Sequence, residues 1–191
     1  MKKRKVLIIT ESIGYGGLNI ASVEFERYLS KEKYDFTYCV RRTAKGELEQ
    51  EVLDRGIRGI HVPDEELNYL KSYRFYKNLM SKEHFDIVHC HLPFFSGIVL
   101  MAAYKCGVNK RIAHAHFSQP YTDTDIYSKP KQIIAKYYRM VMRLLLKSYC
   151  NVKLACSKES GEYLFGKKVF DKNGIVLKNG INTDKFLFNP K

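Results

Sequence analysis

Apolar runs of strand length alternate with segments of helical period along almost the whole chain, and this alternation narrows the possible folds most. The runs predict strands at Lys5–Thr10, Asp35–Val40, Gly59–Val62, Asp86–His91, Lys110–His116, Lys153–Ala155 and Gly174–Leu177. Helical patterns fall between them near Leu18–Ser30, Glu47–Arg55, Tyr69–His84, Ser96–Cys106, Pro130–Cys150 and Lys158–Phe165. Strands apolar on both faces belong to a parallel sheet covered on both sides. Right-handed crossovers then give an α/β, doubly wound, Rossmann-like sheet of about seven strands. Ligands of such sheets bind beyond the carboxyl ends of the strands, so the rim is the place to look for function. A length of 191 residues suits one well-cored domain, expected at residues 1–180. The tail "NGINTDKFLFNPK" adds no further strand–helix unit, and 181–191 reads as the start of a linker to a second domain.

The start, "MKKRKVLIIT", imitates a signal peptide, but its apolar part is too short for one. The later run "SGIVLMAAYKCG" is broken by Lys105 and falls short of a membrane span, so a cytoplasmic protein is expected. Five cysteines (Cys39, Cys90, Cys106, Cys150 and Cys156) without a C-x-x-C read as reduced, mostly buried thiols. The formal net charge of +13 calls for an anionic partner: nucleic acid, a phosphorylated ligand or an acidic membrane face. No helix-turn-helix, RNP-like or zinc-finger pattern supports the nucleic-acid reading.

Each rim motif has a functional and a bland reading. Gly14-Tyr15-Gly16-Gly17 opens a helix, where glycine admits unusual backbone or close ligand approach and the helix start attracts an anion. It nears the dinucleotide fingerprint, with Asn19 in place of the last glycine; the plain alternative is a tight turn. Arg41 and Arg42, after the second strand, leave an NADP-dependent oxidoreductase as the runner-up. His89-x-His91 and His114-x-His116 set two imidazoles on one face of each of two successive strands. With no cysteine or carboxylate at ligand spacing beside them, the expectation is no metal. Backbone-satisfied histidines suit His89 and His114; ligand hydrogen bonding suits His91 and His116. In "SKPKQIIAKYYRMVMRLLLKSYC" the stripe of Ile133, Ile134, Tyr137, Val141, Leu144 and Leu145 reads first as a core face. Its basic residues, and Phe94 and Phe95 of "PFFSG", leave contact with an anionic membrane open.

Together the motifs "GYGGLN", "FDIVHCHLPFFSG", "KRIAHAHFS", "LACSKESGEYLFG" and "VLKNGINTDKF", in this order, resemble the amino-terminal domain of glycosyltransferase family 4, of the GT-B fold. The form "RIAHAHFS" is similar to transferases of bacterial capsule and exopolysaccharide assembly. The resemblance implies retaining sugar transfer from a nucleotide-sugar to a glycan or lipid-linked acceptor, without a metal or other cofactor. It also implies a carboxy-terminal donor-binding domain beyond this chain, without which the chain is inactive. Gly16 and Gly17 match the loop whose backbone nears the donor diphosphate, and His116 matches a histidine beside the transferred sugar. His91, Asn19, Ser157, Lys158 and Glu159 match the acceptor-side rim. Many relatives carry an acid where Asn19 stands, so no general base is assigned; the departing phosphate is expected to take the acceptor proton.

Overall fold

The computed structural model describes residues 2–118 and 128–180; the expected linker at 181–191 and the rim residues 119–127 lie outside the described residues. Its strands are β1 (Arg4–Thr10), β2 (Tyr34–Val40), β3 (Arg58–His61), β4 (Ile87–Cys90), β5 (Lys110–Ala115), β6 (Val152–Ala155) and β7 (Gly174–Val176). Between them run α1 (Gly17–Arg27), α2 (Glu49–Asp54), α3 (Tyr69–Glu83), α4 (Ser96–Lys105), α5 (Lys129–Tyr149), α6 (Lys158–Phe165) and α7 (Lys167–Asn173). The strands pair in parallel in the order β3-β2-β1-β4-β5-β6-β7, which is the expected doubly wound sheet.

Successive side chains of a strand point to opposite faces, and β1 feeds a separate core on each. Leu7 and Ile9 enter the larger core, with Tyr76 and Met80 of α3, Val99 and Leu100 of α4, and Met142 and Leu146 of α5. Val6 and Ile8 enter the smaller one, with Val23 of α1, Tyr38 of β2 and Val52 of α2. On that second side an ion-pair network joins α1 to α2: Arg55 meets the buried Glu26, and Arg27 meets Glu51. Tyr38 adds a hydrogen bond to the Ser22 carbonyl at 3.1 Å. The same face over β5 to β7 is only partly covered among the described residues. Ile112 and Leu154 are half-buried there, and Ile175 is exposed.

Three features depart from the sequence expectations. The seven-residue α7 is too short to show a period; one buried ring, Phe170, holds it. That ring stacks on Phe165 and lies where a Cβ on Gly161 or Gly174 would come within 2.3 and 2.2 Å. The stripe on α5 is not a core face: Ile133, Ile134, Tyr137, Val141 and Leu144 are exposed, and only Leu145 is half-buried. The helix turns Met142 and Leu146 inward because Gly97 of α4 lets it approach; a Cβ there would lie 3.0 Å from the Met142 carbonyl oxygen. Phe94 and Phe95, left open to lipid by the sequence, are buried, edge-on to Tyr163 and beneath the Arg41 guanidinium respectively.

Gly46 packs against the loop that follows β1, and a Cβ there would fall 2.1 Å from the Ile13 carbonyl oxygen. Gly46→Ala is expected to cost about 1–3 kcal/mol, read as a lower urea midpoint. Gly17→Ala, which meets nothing within 4 Å, should cause no loss.

Candidate functional site

Strand order reverses between β1 and β4, and the crevice above such a point collects ligands in open parallel sheets. The His91 N–H bonds to the Ile9 carbonyl at 2.8 Å, so the end of β4 lies against the start of the glycine loop. Buried Ile13 anchors that loop, and Gly16 is the N-cap of α1 in extended conformation. None of Gly14, Gly16 and Gly17 has positive φ. The glycines supply room rather than unusual backbone: Gly17 faces open space, and Gly14 faces the Glu47 carboxylate. Helix α1 has no side-chain cap and no acid in its first turn. Its first N–H groups have no partner within the helix and carry the positive end of its dipole. Asn19 is already engaged. Its Nδ2 donates to Ser12 Oγ at 2.9 Å, and its Oδ1 accepts from Thr10 Oγ1 at 3.3 Å, which ties α1 to the end of β1.

The four strand-end histidines meet as two pairs. His89 Nε2 lies 3.2 Å from His114 Nδ1, and His91 Nδ1 lies 2.9 Å from His116 Nε2. His89 and His114 thus pair with each other through one ring nitrogen each, rather than with backbone. Burial first, and neighbouring imidazoles second, hold His91 well below the usual histidine range and push His89 to about 3 and His114 to about 2. Burial alone takes His116 to about 4. All four are neutral imidazoles at pH 7, able to donate or accept one hydrogen bond but not to bring charge. Among the described residues, His114 Nε2 and His116 Nδ1 have no hydrogen-bond partner. Nitrogens of His89, His91 and His114 lie within 4.8 Å of one another, a spacing that a metal ion could bridge. A metal there would break the existing imidazole pairs, and among the described residues no thiolate or carboxylate joins the three.

His91 and His114 also floor a cavity of about 360 Å³. Its walls are Ala21, Glu24 and Phe25 of α1 with Tyr28 and Leu29 just after it on one side, and Leu177–Gly180, beyond β7, on the other. Sequence reasoning missed these walls; the signal available was Phe25 and Leu29, apolar yet off the buried stripe of α1. Gly16, Gly17, Asn19 and the start of α6 do not line this cavity. At α6, Ser157 is the N-cap and shares a capping box with Ser160. Lys158 reaches Glu162 at 3.8 Å and Asp171 at 3.7 Å, along its own helix and toward α7. Glu159 is exposed in the first turn, its carboxyl held low by its backbone N–H and Ser157. Arg41 donates to the Leu67 carbonyl and stacks over Phe95, and Arg42 lies 3.9 Å from Glu11. Both arginines line a separate cavity at the end of β2, with Glu11, Thr43, Asp64 and Leu67.

A doubly wound parallel sheet with an uncapped glycine turn and paired imidazoles near its switch point defines a Rossmann-like α/β domain. The family model for Glycosyltransferase Family 4 matches residues 15–185, and the chain belongs to that family. It is 27% identical to the capsular polysaccharide biosynthesis glycosyltransferase CapH of Staphylococcus aureus, over 92% of this chain and 47% of the relative. To EpsF of Bacillus subtilis it is 26% identical, over 96% and 47%. The crystal structure of Anabaena HepE in complex with UDP and glucose superposes with a TM-score of 0.67 at 13% identity, covering 98% of this chain and 47% of that one. The chain spans about half the length of the curated relatives it matches.

The histidine cluster sets a pH dependence of stability. Its members bind protons more readily unfolded than folded, so their stabilisation is full above about pH 6.5 and declines below it. His61, raised by its hydrogen bond to Glu49, acts oppositely and loses its contribution as pH rises. With four groups against one, the urea midpoint should fall steadily from pH 7 to pH 5. His114→Gln should flatten that slope by about 1.4 kcal/mol per pH unit at most.

Proposed function

We propose that this chain is the acceptor-side half of a retaining glycosyltransferase that moves a sugar from a nucleotide-sugar to a glycan or lipid-linked acceptor in cell-envelope polysaccharide synthesis. Family membership supports sugar transfer, and the named roles of CapH and the UDP and glucose held by HepE favour this substrate class. Retention rests on the family resemblance. The observation that carries the reading is the uncapped, glycine-built start of α1 beside the His91–His116 pair.

In this reading the donor diphosphate rests at Gly16 and Gly17. The N–H groups and dipole of α1 stabilise the charge that grows on it as the glycosidic bond breaks, without a metal. His116, neutral and hydrogen-bonded to His91, orients a sugar hydroxyl rather than taking a proton. Asn19 acts by holding the loop, since both ends of its amide are engaged. Ser157 shapes the start of α6, and Lys158 and Glu159 flank the acceptor from that helix. No carboxylate is assigned as base, so the acceptor proton passes to the departing phosphate oxygen. A second, donor-binding domain completes the enzyme, which works in the cytoplasm at the inner face of the membrane.

Three outcomes test this. The 191-residue chain alone should turn over no nucleotide-sugar; measurable transfer would overturn the division into halves. In the full-length enzyme, His116→Ala should lower kcat by a factor on the order of a hundred with little change in unfolding midpoint. Chelation should leave that enzyme's rate unchanged. A loss reversed by added zinc would instead assign an ion to His89, His91 and His114.

A further inference from the structure

His61, the last residue of β3, has an acceptor at each ring nitrogen. Its Nδ1 lies 2.7 Å from the Arg42 carbonyl oxygen, and its Nε2 lies 2.6 Å from Glu49 Oε1. Neither a carbonyl oxygen nor a carboxylate can donate, and only the imidazolium donates from both nitrogens. The arrangement therefore holds one proton more than a neutral ring beside a carboxylate would. Glu49 opens α2, and its side chain is only 5% exposed. Its other oxygen, Oε2, accepts from the Gly46 N–H at 3.2 Å. Without the extra proton, a ring lone pair would face a buried carboxylate whose other partner, among the described residues, is that single N–H.

The segment from Arg42 to Leu48 is held on one side by His61 and Glu49, and on the other it holds the glycine loop. The Arg42 N–H donates to the Glu11 carbonyl at 3.0 Å, and the Leu48 N–H to the Ile13 carbonyl at 3.0 Å. Gly46 packs on the Ile13 backbone, and Gly14 faces the Glu47 carboxylate. Residues 11–14 lead into Gly16, the uncapped start of α1. We propose that the proton shared by His61 and Glu49 is a latch: bound, it clamps the 42–48 segment against the glycine loop and keeps the start of α1 in position for an anion; lost, it releases both. Electrostatics agree. The Glu49 hydrogen bond raises His61 above the ordinary 6.5 against the pull of burial, and the Arg42 carbonyl adds to it. Lys45, on the segment itself, opposes protonation, and β2 sets the uncharged Val40 beside His61. The folded value lies above the unfolded one, so the latch is full below about pH 6.5 and opens as pH rises through the folded value. The four clustered histidines are neutral over that range and answer only to a fall in pH. The latch stands on its own contacts; its use, stronger donor binding at lower pH, rests on the diphosphate placement proposed above.

Nuclear magnetic resonance of the 191-residue chain between about pH 6 and pH 9 tests the latch without donor or acceptor. The His61 ring nitrogens should titrate with a midpoint above 6.5, and the amides of Ile13, Gly14, Gly16, Gly17 and Gly46 should shift with that same midpoint. In Glu49→Gln the carboxamide donates to a neutral ring, so the pair needs no extra proton. There the His61 midpoint should fall, and the loop amides should keep the parent's low-pH positions throughout. His61→Ala should instead leave them near the parent's high-pH positions at every pH, with a cooperative urea transition to show that it folds. A His61 midpoint at or below 6.5 would overturn the proposal, and so would glycine-loop amides that ignore the His61 titration. In the full-length enzyme, donor KM should rise severalfold over this range and stay flat in Glu49→Gln, with kcat little changed in either. A flat parent KM beside titrating amides would overturn the diphosphate placement and leave the latch standing.

Discussion

The pairing of β1 with β4 is the contact on which the rest of the molecule hangs. These strands are distant in sequence, yet backbone bonds bracket their junction. Asp86 and Lys5 exchange hydrogen bonds at the amino end, and the His91 N–H meets the Ile9 carbonyl at the other. With β1 central, its four apolar residues can serve two cores at once, and the helices divide between the two faces accordingly. The same junction is the topological switch point. It brings the glycine loop to the imidazoles, so the contact that organises burial also assembles the site.

Polar groups near that junction are mostly spent on one another. The imidazoles pair side by side, which lets four polar rings sit in a poorly hydrated place without charge. Asn19 bridges β1 and α1, Ser157 caps α6, and Arg41 lies between Phe95 and the Leu67 carbonyl. What is left unspent is one nitrogen each of His114 and His116 and, on the backbone, the first N–H groups of α1, which begins at glycines that put no side chain in front of them. A site of this kind can favour an anion through oriented dipoles without placing a counter-charge there.

Strands were legible because short, mostly apolar runs such as Val6–Ile9 and Phe36–Val40 suit burial on both faces of a sheet. The H-x-H spacing likewise announced two imidazoles on one face. Their partners were not legible, since they depend on the β4–β5 register, which sets His89 beside Ile112 and leans its ring toward His114. The cavity beside His91 was hidden for a similar reason. Its walls come from α1 and from residues beyond β7, which local pattern cannot bring together. On α5 the pattern misled: two apolar sides compete, and the amphipathic period does not say which meets the sheet. Gly97 decided it, by allowing close approach only along Met142 and Leu145.

By itself the sequence determined the strand–helix order, the parallel sheet and the motifs on its rim, because side-chain periodicity and turn chemistry act between near neighbours. The tertiary structure alone decided which histidines share a proton, which side of α5 faces water and where a cavity opens. Those outcomes depend on the register and close approach of segments far apart in the chain, and local preference carries no information about either.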